Sequence, residues 1–389
     1  MSTSSHQMTK LYGVDESEIR KELHRHPELS GEEAETAKRI VGFLEHIPGI
    51  AIRKNAGAHG IVAWKRYGKG PMIGFRAELD ALPIREKSNQ EHRSRNEGKS
   101  HACGHDGHMT MLLAMMALLE DQKESRGGVV LHFQSAEETG KGARLMLDSS
   151  HMGEVPRVEI CFAIHNIPGR DLGKVLYREG SFACASVGAR VRIEGRTAHA
   201  AHPERAINPL APALELLDYA QSLPQSEQVD GFALSTPVAL IAGEESFGTT
   251  PAEALLAITL RAAKTESLEK MMDLFDRRAY DKAEDHEGKI ECTFLEYFPA
   301  TQNAPIQELV RKACHETGLD YEELEAPFRW SEDFGHFAER SPIAMMGLGS
   351  GLDQPELHAP NFDFPDALIQ KGANLYRELY KSFIESYDA

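Results

Sequence analysis

The chain of 389 residues exceeds one ordinary hydrophobic core, which predicts two domains. Its residues are 41% apolar and 26% charged, the mix of a soluble globular protein, and its formal net charge of −17 argues against nucleic acid or an anionic membrane surface as partner. No run approaches the roughly 18 apolar residues of a membrane span, and the start MSTSSHQMTKLYGVDESEIRKELHRHPELS lacks the apolar core of a secretory signal.

Early in the chain, EEAETAKRIVGFLEHI places Ala37, Ile40, Val41 and Leu44 on one helical face. Two strand-like runs follow, GIVAWKRY and MIGFRAELDALP. HMTMLLAMMALLEDQ is apolar almost all round, which predicts a buried helix. GGVVLHFQSAEETG reads as a strand, a loop and a helix beginning near Gly140, and VEICFAIHNIPG as a strand closing in a Pro-Gly turn. Strands alternating with helices predict an α/β domain with a mostly parallel central sheet flanked by helices.

From about Ser186 the texture changes. SVGARVRIEG, GFALSTPVALIAG, EALLAITLRA and KIECTFLEYF read as strands, with NPLAPALELLDYAQSL and ESLEKMMDLFDRRAYDKAEDH as helices among them. This βαββαβ order predicts a small α+β domain over 186–298, interrupting a larger discontinuous domain of 1–185 and 299–389. Two helices close the chain, APIQELVRKACHETGL and PDALIQKGANLYRELYKSFIESY.

In open α/β sheets, ligands bind outside the carboxyl ends of the strands. Glu137, Glu138 and His165 fall at such ends. The five cysteines are odd in number and widely spaced, the pattern of reduced thiols in a cytoplasm. Four read as small buried hydrophobes, whereas Cys103 stands among His and Gly in HACGHDGHMT. Gly104 can take a positive φ and let Cys103 and His105 converge.

Singly, each polar group has a plain structural alternative. Asp106 reads as a helix cap or as a residue behind a metal ligand, and His108 as a packed or surface histidine. Glu137 and Glu138 suit a helix N-terminus, while His165 and His358 adjoin Pro-containing turns. Together the picture differs. Adjacent acids repel unless a cation or proton lies between them. One thiol, three imidazoles and a carboxylate exceed the ligand set of one catalytic zinc and predict two metals sharing a bridging ligand. The second carboxylate is then free to act as general base and acid, which is the chemistry of amide hydrolysis without a covalent intermediate.

The blocks KELHRHPELSGEEAETA, FRAELDALPI, HACGHDGH, QSAEETGKGARLML, AIHNIPG, GRTAHAAHPERAINP, SEDFGHF and LHAPNFDFPD run in order along nearly the whole chain. They resemble the two-metal amidohydrolases related to aminoacylase, hippurate hydrolase and the auxin–amino acid conjugate hydrolases. The resemblance implies that Cys103 bridges two divalent ions; thiolate with imidazoles suits zinc, and carboxylate with imidazole also suits manganese, nickel or cobalt. His105 and His165 would complete one site, and Glu138 and His358 the other. It makes Glu137 the general base and Asp80 an acidic residue near the metals that orients a ligand. His199 would donate to the tetrahedral oxyanion, and both His199 and Arg261 would contact substrate. It further implies a catalytic domain interrupted by a lid that mediates dimerisation, and a small N-acyl amino acid or related amide as substrate, which with the reduced thiols predicts a cytoplasmic enzyme.

The chain departs from the pattern at Ser135, where relatives carry Pro, and in ESFGTTPAEALLAITLR, where many carry Asn-Val-Ile-Pro. Gly248 stands where that Asn helps bind the substrate carboxylate, so Arg261 lacks its partner. Either other groups recognise an α-carboxylate, or the substrate has a modified carboxyl end or a different acyl acceptor. Dipeptidases and aminopeptidases of the same clan are the second reading, and Cys103 in place of a bridging Asp separates them. A non-catalytic metal-bound binding protein is the third, and the retained Glu137 with every ligand argues against it.

Overall fold

The apolar stripe of the second helix is buried as its spacing requires, with Ile40 and Leu44 fully enclosed in a computed structural model that describes residues 14–121 and 123–387. Residues 1–13, the beginning of the start expected to lack a secretory signal, lie outside the described residues. Helices α1 (Glu16–Arg25) and α2 (Ala34–Leu44) precede strands β1 (Ala51–Lys54), β2 (Ile61–Arg66) and β3 (Met72–Glu78). Then come α3 (His105–Asp121), β4 (Gly128–Gln134), α4 (Gly142–Leu147), β5 (Ile160–Pro168), β6 (Val175–Tyr177) and β7 (Gly180–Ala183). A second segment carries β8 (Ala185–Glu194), α5 (Leu210–Ser222), β9 (Ala233–Ala242), β10 (Glu253–Ala262), α6 (Thr265–Asp285) and β11 (Lys289–Phe298). The chain returns with β12 (Thr301–Asn303), α7 (Gln307–Thr317), β13 (Tyr321–Glu323), β14 (Ile343–Gly351) and α8 (Ala367–Tyr387).

Two units result. One runs to Phe182 and resumes over Gln302–Ala326 and from Asp333, and the other comprises Ala183–Thr301 with Pro327–Glu332. The first holds a sheet ordered β1-β2-β4-β3-β5-β14-β12-β7. It is parallel from β4 through β3, β5 and β14 to β12, and antiparallel where β1 and β2 extend it. Every residue of β3 and β4 is buried, as expected of strands covered on both faces. Helix α3 packs on β3, α1 and α8, which explains why nearly all its residues are buried.

The second unit is a four-stranded antiparallel sheet ordered β11-β8-β10-β9. Its element order is βαββαβ. Val187, Ala189, Val191 and Ile193 of β8 face inward at every second position, against Leu216 of α5 and Phe275 of α6. Two local expectations need correction. The helix placed near Gly140 begins at Gly142, after a single turn of 3-10 helix over Glu137–Thr139. His165, expected at the strand's end, lies within β5, because the parallel pairing with β14 continues to Pro168.

Candidate metal centre

The N-terminus of α3 meets the carboxyl ends of β3, β4 and β5. Gly104 precedes the helix with φ of +95°, and a Cβ there would lie 2.4 Å from the Asn166 Oδ1 and 3.0 Å from Phe364. Only glycine meets both the dihedral and the close approach, and it sets Cys103 and His105 on either side of the turn. Cys103 and His105 are buried, and so is His165. One possible ligand atom from each of these three lies within 4.8 Å of the others. Cys103, Glu138 and His358 form a second such group, so the thiol belongs to both. The Cys103 Sγ is 3.4 Å from the His165 Nε2. The Glu138 Oε1 stands 3.9 Å from the His105 Nε2 and 3.8 Å from the His358 Nε2. Glu137 joins a third group with His105 and Glu138.

The imidazoles are oriented by their other nitrogens. The His105 Nδ1 donates to the Asp80 carbonyl at 2.8 Å, and the His165 Nδ1 donates to the Asn166 carbonyl at 2.9 Å. A backbone acceptor at Nδ1 fixes the tautomer and leaves the Nε2 lone pair for a metal. The His105 Nε2 is buried without a hydrogen-bond partner among the described residues, which is costly unless something else occupies that lone pair. Asp80 is fully buried. Its Oδ2 accepts from the Ser30 hydroxyl at 2.7 Å and the Glu138 N–H at 3.0 Å, so this one residue braces both His105 and Glu138. His358 carries φ of +66°, and its N–H donates to the Ala102 carbonyl at 2.8 Å. A histidine in the left-handed region is strained, the kind of cost found at functional sites.

The charges tell the same story. Burial opposes a proton on His105, but the hydrogen bond to Asp80 and the charges of Glu78, Asp80 and Glu138 outweigh it and carry its pKa up to about 10. Burial, helped by His108, pushes His165 down to about 3. The carboxylates of Glu78, Asp80 and Glu138 therefore favour positive charge beside His105, whether carried by a proton or by a metal ion, and His165 is neutral. Thiol, imidazoles and carboxylates converging on such a field fit divalent cations, with Cys103 common to two sites.

Sequence reasoning missed the layer behind these groups. His108 is packed, with its Nδ1 2.7 Å from the Glu78 carboxylate and its Nε2 2.7 Å from the Asn166 Oδ1. Glu78 also pairs with Arg76, which reaches Asp333 at 2.8 Å. Glu78 closes β3 two residues before Asp80, and in the strand-like run MIGFRAELDALP that spacing suggests a shared face, a signal available in the sequence. Asp106 is neither a cap nor a contact of a ligand. It is buried inside α3, 3.0 Å from the Arg20 Nη1 and 2.9 Å from the His24 Nδ1.

The remaining expected site residues belong to the second unit. The segment carrying His199 pairs with 248–250, with Ala200 N–H donating to the Gly248 carbonyl and Thr250 N–H to the Ala198 carbonyl, each at 3.0 Å. The His199 Nδ1 accepts from the Ala201 N–H at 3.1 Å, which puts the ring proton on Nε2. Arg261, near the end of β10, donates to the Arg329 carbonyl at 3.1 Å and the Ser331 hydroxyl at 2.8 Å. A Cβ at Gly248 would meet no atom within 4 Å.

Comparison with known proteins agrees with this geometry. The model of peptidase family M20/M25/M40 matches residues 74–382. The IAA-amino acid hydrolase ILR1-like 5 of Arabidopsis thaliana is 31% identical, over 94% of this chain and 86% of its own length. An N-acetyl-L-cysteine deacetylase of Bacillus subtilis is 30% identical, over 95% of this chain and 88% of its own. The crystal structure of a dinuclear metal-binding peptidase of the M20 family from Bacillus subtilis aligns with a TM-score of 0.80 at 27% identity, over 95% of this chain and 98% of that one. By sequence and by fold, the chain belongs to peptidase family M20/M25/M40.

Proposed function

We propose that the protein is a metal-dependent amidohydrolase that cleaves a small N-acyl amino acid or a related amide. The observation that carries this reading is the pair of backbone-oriented imidazoles, His105 and His165, grouped with one shared thiol. Cys103 with His105 and His165 would hold one divalent ion, and Cys103 with Glu138 and His358 the other. When bound, the pair supplies an acidified water and polarises the substrate carbonyl. Thiolate with imidazoles suits zinc, and the carboxylate and imidazole ligands also suit manganese, nickel or cobalt.

Glu137 is 5% exposed on the turn that follows β4. In this reading its carboxylate accepts the proton of the attacking water and returns it to the leaving nitrogen. Asp80 acts through its hydrogen bonds, holding His105 by a carbonyl and Glu138 by a carboxylate oxygen. His199, with its proton on Nε2, is suited to donate to the developing oxyanion, an interaction worth roughly 2.7–4 kcal/mol of barrier. Arg261 is assigned to substrate contact. Both curated relatives are named for substrates of the N-acyl amino acid type, which supports the substrate class.

Homodimerisation is assigned to the second unit. Strand β9 is one of the two edges of its sheet and exposes Val238 and Ile241 at 66% and 60%, and an apolar edge strand is a template for pairing. A cytoplasmic location is supported by five cysteines without a disulfide. No helix among the described residues is long and apolar enough to cross a membrane. A panel of acetyl-, benzoyl- and indoleacetyl-amino acids set against dipeptides tests the reaction class. Turnover of N-acyl amino acids is expected, and hydrolysis confined to dipeptides would overturn the assignment.

A further inference from the structure

Glu33 lies at the start of α2, outside the groups discussed so far, yet its side chain is fully buried. Its Oε1 accepts two backbone N–H groups, from Gly31 at 2.9 Å and from Ala136 at 2.8 Å. The second of these bonds spans 103 residues of sequence and ends on the residue just before Glu137. Ala136 has φ of +55° and ψ of +40°, the left-handed region that a residue with a Cβ avoids. Strand β4 has ended at Gln134, so no ladder partner is provided for the Ala136 N–H. A buried N–H without an acceptor is costly. The Ala136 carbonyl is held from the other side by the Gly142 N–H at 3.1 Å and the Thr139 hydroxyl at 3.2 Å. Ser30, in the same segment as Glu33, holds Asp80.

We infer that Glu33 is a positioning residue for the reaction: it clamps the left-handed turn at Ala136 and so aims the Glu137 carboxylate. The inference rests on Glu137 being the general base. A strained turn persists only where its surroundings over-determine it. Without the clamp, Ala136 relaxes toward negative φ and rotates the following peptide, which displaces the Glu137 side chain. Misplacing a catalytic group by about 1 Å can cost about 100-fold in rate. Glu138, on the same turn, is held separately by its N–H on the Asp80 carboxylate, and the ligands Cys103, His105, His165 and His358 lie on other elements, so metal binding is expected to survive.

The test uses the full-length, metal-loaded enzyme and its best N-acyl amino acid substrate. Glu33→Met keeps volume and removes both acceptor oxygens. It is expected to lower kcat by roughly 10–100-fold, with KM within about twofold and metal content unchanged. Glu33→Gln, which keeps a carbonyl oxygen for both N–H groups, should recover most of that loss. Adding Ala136→Gly to Glu33→Met should restore part of it, because glycine takes positive φ without a clamp. A merely structural Glu33 would lower the melting temperature and leave kcat of the folded enzyme unchanged. That result overturns the inference, as does a loss of activity in proportion to lost metal, or no restoration by Ala136→Gly. If Glu33→Met does not fold, Glu33→Asp, too short to reach both donors, is read by the same criteria. Glu137→Gln run alongside separates the two claims. Undiminished turnover there sinks the base assignment itself, whereas an inert Glu137→Gln beside a fully active Glu33→Met sinks only the positioning role.

Discussion

Cys103 is the residue on which the centre turns, because it alone belongs to both the His105–His165 group and the Glu138–His358 group. A serine there keeps the size but offers a hydroxyl far less ready to ionise than a thiol beside a cation. Cys103→Ser is therefore expected to lose both metals and all activity. Metal analysis of the purified variant checks this, and one retained ion would show that the thiol is not shared. The proposed ligands could be named from sequence because His, Cys and Glu at strand ends and glycine turns carry their chemistry locally. The role of Asp106 could not, since its partners Arg20 and His24 are 86 and 82 residues away. Glu33 was hidden for the same reason, its hydrogen bond to Ala136 being visible only once β4 and α2 are packed.

Helices α1 and α3 are joined by a buried polar cluster that periodicity cannot show. Burial opposes a charge on His24, but the hydrogen bond to Asp106 and the nearby Glu86 carboxylate hold its pKa up at about 9, against 6.5 for a free histidine. Its raised value means that the folded protein keeps the proton where the unfolded chain has lost it. The pair's stabilisation is thus complete below about pH 6.5 and is lost as pH rises through about 9. Melting temperature should fall over that window in the wild type, and His24→Gln should flatten the fall. An equal slope in both proteins would refute the role of His24. The helices and strands themselves were readable from their periods, as the inward Val187, Ala189, Val191 and Ile193 of β8 illustrate. The full extent of β5 was not, because the polar His165 and Asn166 look like a strand's end in sequence although pairing with Gly347 and Leu348 keeps them in the strand. At the exposed edge of β9, lysine at both Val238 and Ile241 is expected to convert a dimer to a monomer in sedimentation, and an unchanged sedimentation coefficient would place the interface elsewhere.

For the whole molecule, the two units divide the work that one sequence must specify. The first carries every proposed metal ligand, on a strand, a helix start, a turn and loops around a mostly parallel sheet, so buried residues such as Glu78, His105 and His165 serve both its interior and its site. The alternation of strands and helices announced that architecture, and the shift to βαββαβ announced the second unit. Binding of an ion to the folded state alone stabilises it by mass action. Chelation should therefore lower the melting temperature and abolish turnover, with both restored by one of the candidate metals; chelation without either effect would contradict a bound metal pair. The most direct measurement of the central claim is turnover of an N-acyl amino acid by Glu137→Gln, with metal content determined on the same sample. Two ions per chain with turnover reduced roughly 100- to 10,000-fold is the expected result. Wild-type turnover at equal metal content would contradict it.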